Sequence, residues 1–212
     1  MDKPVQSKEY GLLTVGIFLF NKVELLDFAG PYEVFSVTAE LNQYRMFQVF
    51  TLSEDGRPIQ TINGLKVLVD YSFDNHPPID LLVIPGGVGT RNEVNNEAVI
   101  RWIQKAHRNG QLTMSVCSGS ILLGKAGLLE DLEAVTHHEV FHLLEKASPR
   151  TRINRDKRWI DNGRVMTSAG ISAGIDLSLH VVEKLYGADI KKKTVTYMEY
   201  GDWKKQMKES VK

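Results

Sequence analysis

The chain has 212 residues, 42% of them hydrophobic, and its basic and acidic side chains balance at 26 each. This size and composition predict one domain over residues 1–212 with a sizeable core. The zero formal charge gives no reason to expect a nucleic acid or an anionic membrane as partner.

Short apolar runs bounded by Gly, Pro, Asn or Asp predict strands buried on both faces. These runs are Leu12 to Phe20, Phe47 to Leu52, Leu81 to Ile84 and Leu112 to Val116. Helical spacing of apolar residues predicts helices between and after them. The helices are Pro31 to Leu41 with Pro31 in the first turn, Glu97 to Arg108, and about Ala173 to Tyr186, closed by Gly187.

The alternation of strands and helices predicts the α/β class. We expect a flavodoxin-like, doubly wound, mostly parallel sheet with helices on both faces, which is a three-layer sandwich. Asn63-Gly64 and Asn162-Gly163 are favoured turn dipeptides and predict two hairpins, so one sheet edge should be mixed. The lysine-rich tail from Ala188 is expected to cap the surface or fray.

The first twelve residues lack the apolar segment of a signal peptide, and no later apolar run is long enough to span a bilayer. A cytoplasmic protein that does not contact a membrane is therefore expected. A single cysteine, Cys117, excludes an internal disulfide, a CxxC redox pair and a cysteine-based zinc site.

Cys117 follows a strand pattern and precedes the small residues Ser118, Gly119 and Ser120, which is the pattern of a nucleophile elbow. A thiol just before a helix N-terminus is expected to favour the thiolate form, the nucleophilic one. The adjacent backbone N–H groups could stabilise developing negative charge. The alternative is an inert cysteine that only fills space, which is the common case for a lone cysteine outside such a turn.

Three other segments are predicted to meet the same sheet edge. Gly86 and Gly87 follow the third strand and could offer N–H groups to an oxyanion, or could mark a loop that needs positive φ. The segment is not a GxGxxG motif, so dinucleotide binding is weakly supported. Asp27 lies among apolar neighbours after the first strand, where it could be a carboxylate with a raised pKa or a helix cap.

His137 follows another predicted strand and could hold a proton or orient a substrate, although six histidines make chance placement common. No His and Glu spacing matches a zinc-protease helix, so no metal and no cofactor is expected.

Together these stretches resemble the ThiJ/PfpI group of the class I glutamine amidotransferase-like superfamily, from Thr14 to about Tyr200. Within this group, the isonitrile (isocyanide) hydratases are the most alike. The matching stretches are Val15 to Phe20, Leu26 to Pro31, Ile84 to Gly87, Ser115 to Ser120, Leu123 to Leu129, Thr136-His137 and Gly170 to Asp176.

The resemblance implies a lyase that hydrates isonitriles to N-substituted formamides through a covalent thioimidate. It makes Cys117 the nucleophile, Asp27 the acid/base group, and Ser118 the hydroxyl where the group usually has threonine. Gly87 and Ser118 would supply backbone N–H groups, and loops near His137 and Ile171 would shape the pocket for a small-molecule substrate. Members of the group generally form homodimers, to which the segment from Asp27 to Asn42 often contributes.

Three alternatives stay open. Relatives with glyoxalase, deglycase or amidase activity also use a cysteine, but they commonly pair it with a glutamate after the first strand or with a histidine directly after the cysteine. A non-catalytic sensor could use Cys117 for oxidation or the pocket for a metabolite. AraC-type regulators carry a similar domain followed by a helix-turn-helix module, which we do not expect in the sequence after Gly187.

Overall fold

A computed structural model describes residues 11–204. The polar first ten residues and the end of the lysine-rich tail lie outside the described residues, and so do the predictions that concern them. The strands are β1 Leu13–Phe18, β2 Phe47–Ser53, β3 Ile59–Gln60, β4 Lys66–Val67, β5 Tyr71–Ser72, β6 Leu81–Ile84, β7 Leu112–Val116, β8 Glu133–Ala134, β9 Arg152–Ile153, β10 Trp159–Asp161 and β11 Val165–Ser168. The helices are α1 Leu25–Leu41, α2 Thr90–Glu93, α3 Glu97–Asn109, α4 Gly119–Lys125, α5 Phe141–Ala147, α6 Ala173–Tyr186 and α7 Ala188–Tyr197.

Seven of these strands form the main sheet in the order β10-β11-β7-β6-β1-β2-β5. All neighbouring pairs are parallel except the antiparallel pair β10 and β11 at one edge. The mixed edge and both predicted hairpins are confirmed, because β3 also pairs antiparallel with β4. The turn glycines Gly64 and Gly163 have φ values of +92° and +89°, which glycine adopts without steric cost.

Helices cover both faces of this sheet and confirm the three-layer sandwich. Helices α1, α6 and α7 pack against one another on one face, and α2, α3, α4 and α5 form the other layer. The central strands β1, β6 and β7 are almost entirely buried because both of their faces meet helices.

The chain runs from β1 outward to β2 on one side and then returns to β6 on the other side of β1. The strand order therefore reverses between β1 and β6, and in open α/β sheets ligands bind outside the carboxyl ends of the strands at such a point.

One predicted helix start was wrong. Helix α1 begins at Leu25 rather than at Pro31, so Pro31 lies inside the helix, although proline can donate no hydrogen bond to the carbonyl of Asp27. The tail after Gly187 was expected to cap the surface or fray, and its described part follows the first alternative, because α7 packs against α1 and α6 and buries Thr194 and Val195. The Thr194 and Thr38 hydroxyls lie 2.9 Å apart in a buried hydrogen bond between α7 and α1.

Candidate active site

The carboxyl ends of β1, β6 and β7 lie side by side near the point where the strand order reverses. The candidate site residues follow these three strands. Asp27 follows β1, Gly86 and Gly87 follow β6, and Cys117 follows β7. Cys117 has a φ of +56°, which is uncommon for a residue with a side chain and confirms the predicted strained turn.

Gly119 shows why the turn needs a small residue. A Cβ at Gly119 would lie 2.1 Å from the Ile84 carbonyl oxygen, so the chain after Cys117 passes directly against the end of β6. The hydroxyl of Thr136 donates to the Cys117 carbonyl at 2.8 Å, and the Cys117 N–H group donates to Ser168 and Ala169 carbonyls, both at 3.2 Å. The nucleophile candidate is thus fixed from three neighbouring segments.

Asp27 lies in the first turn of α1 and is fully buried, so it is not the N-cap residue, which is Glu24. Its Oδ2 atom accepts a hydrogen bond from the Gly86 N–H group at 3.0 Å, which spans the gap between β1 and β6. Its Oδ1 atom is buried and has no hydrogen bond of standard geometry within the described residues. The Cys117 thiol and the Ile171 N–H group nevertheless lie close enough to favour the charged carboxylate. Such long contacts are common in ligand-free sites and shorten when substrate binds.

Burial controls the protonation of both groups. It raises the pKa of Asp27 to about 7, with the nearby Glu24 charge acting in the same direction. Burial, followed by the Asp27 charge, raises the pKa of Cys117 to about 12, while the N–H groups of Ser118 and Ile171 act against this rise. Desolvation thus opposes the thiolate form that the position of Cys117 before helix α4 was expected to favour. The pair consists of a neutral thiol beside a carboxyl group that titrates near neutral pH.

The glycine amides have partners inside the protein. Besides the Gly86 bond to Asp27, the Gly87 N–H group donates to the Ser118 hydroxyl oxygen at 2.9 Å, and Thr90 donates to the Gly87 carbonyl at 2.8 Å. The oxyanion role predicted for Gly86 and Gly87 would require these bonds to break. In this structure, the two amides instead hold Asp27 and Ser118 in place.

Ile171 enters the site through its backbone. Its φ is +48°, and its N–H group lies close to both Asp27 and Cys117. Ile171 is 37% exposed. Two other apolar residues are similarly exposed: Leu26, next to Asp27, at 38%, and Val88, next to Gly87, at 41%. The segments that form the site thus present apolar side chains to solvent.

His137 lies at the edge of the site rather than beside the thiol. Its ring packs against Gly170, where a Cβ would lie 2.2 Å from His137 Cδ2. Its Nδ1 atom accepts from the Glu139 N–H group at 3.3 Å. Burial, and then the neighbouring His138, lower the pKa of His137, so the neutral ring is favoured.

Sequence reasoning did not single out Thr90 or Thr136 as site residues. Thr90 lies 3.4 Å from the Ser118 hydroxyl, and Thr136 bonds to the Cys117 carbonyl. The signals for Thr136 were its place beside His137 and its presence in a stretch that carries the family resemblance. Within residues 11–204, no group of three or more His, Cys, Asp or Glu side chains could hold a metal ion. Over the same range, no helix has the length and apolar character needed to cross a membrane.

Replacing Asp27 with asparagine is expected to stabilise the protein at pH 8 and to have little effect near pH 4. Between the ordinary pKa of 3.8 and the folded value of about 7, the unfolded chain loses a proton that the folded protein keeps. Wild-type stability therefore falls as the pH rises through this window, by at most about 4 kcal/mol from this group. Urea unfolding at both pH values measures the difference, and equal destabilisation at both would contradict the assigned burial cost.

Comparisons with known proteins agree on the family. A family model described as the DJ-1/PfpI family matches residues 13–184. The chain belongs to the DJ-1/PfpI family. This assignment confirms the resemblance to the ThiJ/PfpI group.

Relatives of this chain differ in what they are named for. An isonitrile hydratase from Pseudomonas putida is 31% identical over 191 residues, which cover 89% of this chain and 78% of that protein. The HTH-type transcriptional regulator GbdR from Pseudomonas aeruginosa is 30% identical over 177 residues, 84% of this chain. The match covers 48% of GbdR, so the chain spans about half the length of that regulator.

A solved structure shows the same DJ-1/PfpI fold. The crystal structure of a ThiJ/PfpI family protein from Pseudomonas syringae superimposes with a TM-score of 0.81 at 22% identity. The superposition covers 94% of this chain and 81% of the other. This likeness establishes the flavodoxin-like α/β architecture and leaves the reaction to be argued from the site.

Proposed function

We propose that this protein is an enzyme that hydrates isonitriles to N-substituted formamides, with Cys117 as nucleophile and Asp27 as the proton-transfer group. The observation that carries the proposal is the meeting of a buried thiol after β7 with a buried carboxyl group after β1, which the Gly86 N–H group holds at 3.0 Å and whose pKa burial raises to about 7. A carboxylate with that pKa can accept the thiol proton at neutral pH and return it later. The similarity to an isonitrile hydratase supports the choice of substrate class.

The first half of the reaction forms a covalent intermediate. The Asp27 carboxylate accepts the thiol proton while the sulfur lone pair forms a bond to the terminal carbon of the isonitrile. The carbon then receives that proton from Asp27, which gives the thioimidate R–N=CH–S–Cys117. The isonitrile has added across the S–H bond, so no oxidant or reductant is needed.

The second half releases the product with water. Asp27 accepts a proton from water as the oxygen adds to the thioimidate carbon, and then donates that proton to the nitrogen, which gives the adduct R–NH–CH(OH)–S–Cys117. Collapse of this tetrahedral adduct breaks the C–S bond, passes the hydroxyl proton through Asp27 to the sulfur and releases R–NH–CHO. The sum is one isonitrile and one water in, and one formamide out.

The substrate class agrees with the surroundings of the site. An isonitrile carries no formal net charge and needs no ionic partner, and the exposed Leu26, Val88 and Ile171 side chains suit an apolar substituent R. Ser118, held by Gly87 and Thr90, places its own N–H group near the Cys117 sulfur. A free thiol in this role suits a reducing compartment such as the cytoplasm.

Repeated turnover tests this proposal. Purified protein and a simple aryl isonitrile in large excess should yield many equivalents of formamide per protein chain. A sensor would react once or only bind, so a yield of one equivalent or less would overturn the hydratase assignment. That outcome would favour a metabolite- or redox-sensing domain, the second candidate, which the 30% identity to the regulator GbdR supports.

We also propose a homodimer, as the family resemblance implies. Tyr32 on α1 is 38% exposed, and Leu12 and Tyr44 beside it border the same cavity. An apolar surface of this kind is typical of a protein interface. Light scattering should give about twice the 23.9 kDa mass of the chain, and a monomeric mass would contradict the dimer.

A further inference from the structure

The backbone at Ile171 is strained and must be held by its surroundings. Its φ of +48° is rare for a β-branched residue, since the side chain is crowded by its own backbone there. Such conformations persist only where neighbouring contacts fix them. We call residues 169–172 the Ile171 loop, which joins β11 to α6. The Ala169 carbonyl of this loop accepts the Cys117 N–H group at 3.2 Å, and the Ile171 N–H group lies close to Asp27 and Cys117.

One residue, Arg158, contacts both ends of the Ile171 loop. Its carbonyl accepts the Ala169 N–H group at 2.8 Å, at the position next to the first residue pair of β10 and β11. Its guanidinium donates to the Ser172 hydroxyl at 3.4 Å and, through Nε, to the Asp176 carboxylate at 2.8 Å. Arg158 therefore bridges the start of the loop and the first turn of α6.

Asp176 is itself fixed in position. Its second carboxylate oxygen accepts the Tyr200 hydroxyl at 2.9 Å, and it lies in the first turn of α6, where negative charge is favoured. The Arg158 and Asp176 side chains are 58% and 27% exposed, so their ion pair should add little to overall stability. The planar guanidinium fork gives this contact a defined geometry.

The other side of the loop is closed by His137. The ring of His137 leaves no space for a Cβ at Gly170. The loop is thus confined between this ring and the Arg158 side chain. The guanidinium of Arg158 also ties the loop to α6 through Asp176.

We propose that Arg158 is a positioning residue, which holds the Ile171 loop so that the Ile171 N–H group stays aimed at Asp27 and Cys117. This inference deepens the proposed function and rests on it for its role in turnover. The N–H group favours the charged forms of both groups, so a misaligned loop would leave less Asp27 carboxylate and less Cys117 thiolate at a given pH.

Alkylation of Cys117 by iodoacetamide tests this proposal without any isonitrile, and the single cysteine makes the signal unambiguous. In Arg158→Gln, the alkylation rate at pH 8 should fall about fivefold to tenfold, as expected for a weakened hydrogen bond to a charged group. In wild type, the alkylation rate should rise with pH as Asp27 loses its proton, and in this variant the midpoint of that rise should move to higher pH. Arg158→Lys should recover part of the rate.

Arg155→Gln is the matched control, because Arg155 lies on the same segment but pairs with Glu145 at 2.9 Å, away from the loop. Asp176→Asn should reproduce the effect of Arg158→Gln, and the double variant should add nothing further if both act through one contact. Should Arg158→Gln fail to fold, Asp176→Asn carries the test.

A wild-type alkylation profile in folded Arg158→Gln or Asp176→Asn, even with reduced thermal stability, would overturn the positioning role. An equal loss in Arg155→Gln would do the same. If wild-type protein turns over no isonitrile, the proposed function fails, and the alkylation ratios still decide whether Arg158 aligns the loop.

Discussion

Cys117→Ala is expected to lower the rate of isonitrile hydration by at least about a thousandfold, to the background of the uncatalysed reaction. The reason is that, in the proposed mechanism, the sulfur forms the bond that activates the isonitrile carbon, and alanine offers no atom that could replace it. Formamide formation in excess substrate, followed by chromatography, measures the loss.

Ser115→Ala is the matched control for this variant. Ser115 lies two residues earlier on β7, is fully buried, and its hydroxyl has no hydrogen-bond partner within the described residues. The control should therefore fold and turn over substrate like wild type. Residual turnover above about a tenth of wild type in Cys117→Ala would rule out a covalent role for the thiol.

Asp27→Asn is expected to lower turnover about a hundredfold or more, the usual effect of losing a general acid/base group. In wild type, turnover should rise with pH through a midpoint near 7, because Asp27 must lose its proton before it can accept the one on Cys117. The asparagine variant should lose this limb. Steady-state rates between pH 5 and 9 give both quantities.

Glu24→Gln separates proton transfer from general negative charge. The Glu24 charge raises the pKa of Asp27, so its removal should move the acid limb slightly to lower pH and preserve the plateau rate. A plateau loss in Glu24→Gln as large as that in Asp27→Asn would show that Asp27 is not the specific proton acceptor.

The sequence located the sheet well but misplaced one helix start. The buried strands Leu81–Ile84 and Leu112–Val116 were predicted at their observed bounds, because continuous apolar runs between turn residues are a strong local signal. The start of α1 was wrong because Pro31 is favoured in a first turn, whereas here it lies in the helix interior. The error put Asp27 before the helix instead of inside its first turn.

The site was only partly predictable for a physical reason. The turn at Cys117 is formed by residues adjacent in sequence, so the small residues after the cysteine predict it. The charge state of the thiol depends on burial by segments that lie far away in the sequence. This burial raises the pKa of Cys117, whereas the dipole of a following helix would lower it. The contacts of Arg158 with Ala169, Ser172 and Asp176 likewise arise only when β10 pairs with β11.

The burial of Cys117 bears on when the thiol loses its proton. Burial and the nearby Asp27 charge raise the pKa of Cys117 and disfavour a free thiolate, so in the proposed mechanism the sulfur loses its proton during attack. Asp27, which is fully buried and held by Gly86, is the base that we propose for this step. Reactivity of Cys117 should therefore follow the titration of Asp27 rather than that of the thiol itself.

The most direct test of the central claim is the intact mass of the protein, quenched at successive times after mixing with an isonitrile. Covalent hydration predicts a species heavier by the mass of one isonitrile, located at Cys117, that forms before formamide appears and decays as it is released. Formamide release over many equivalents with no adduct at Cys117, or an adduct that never decays, would contradict it.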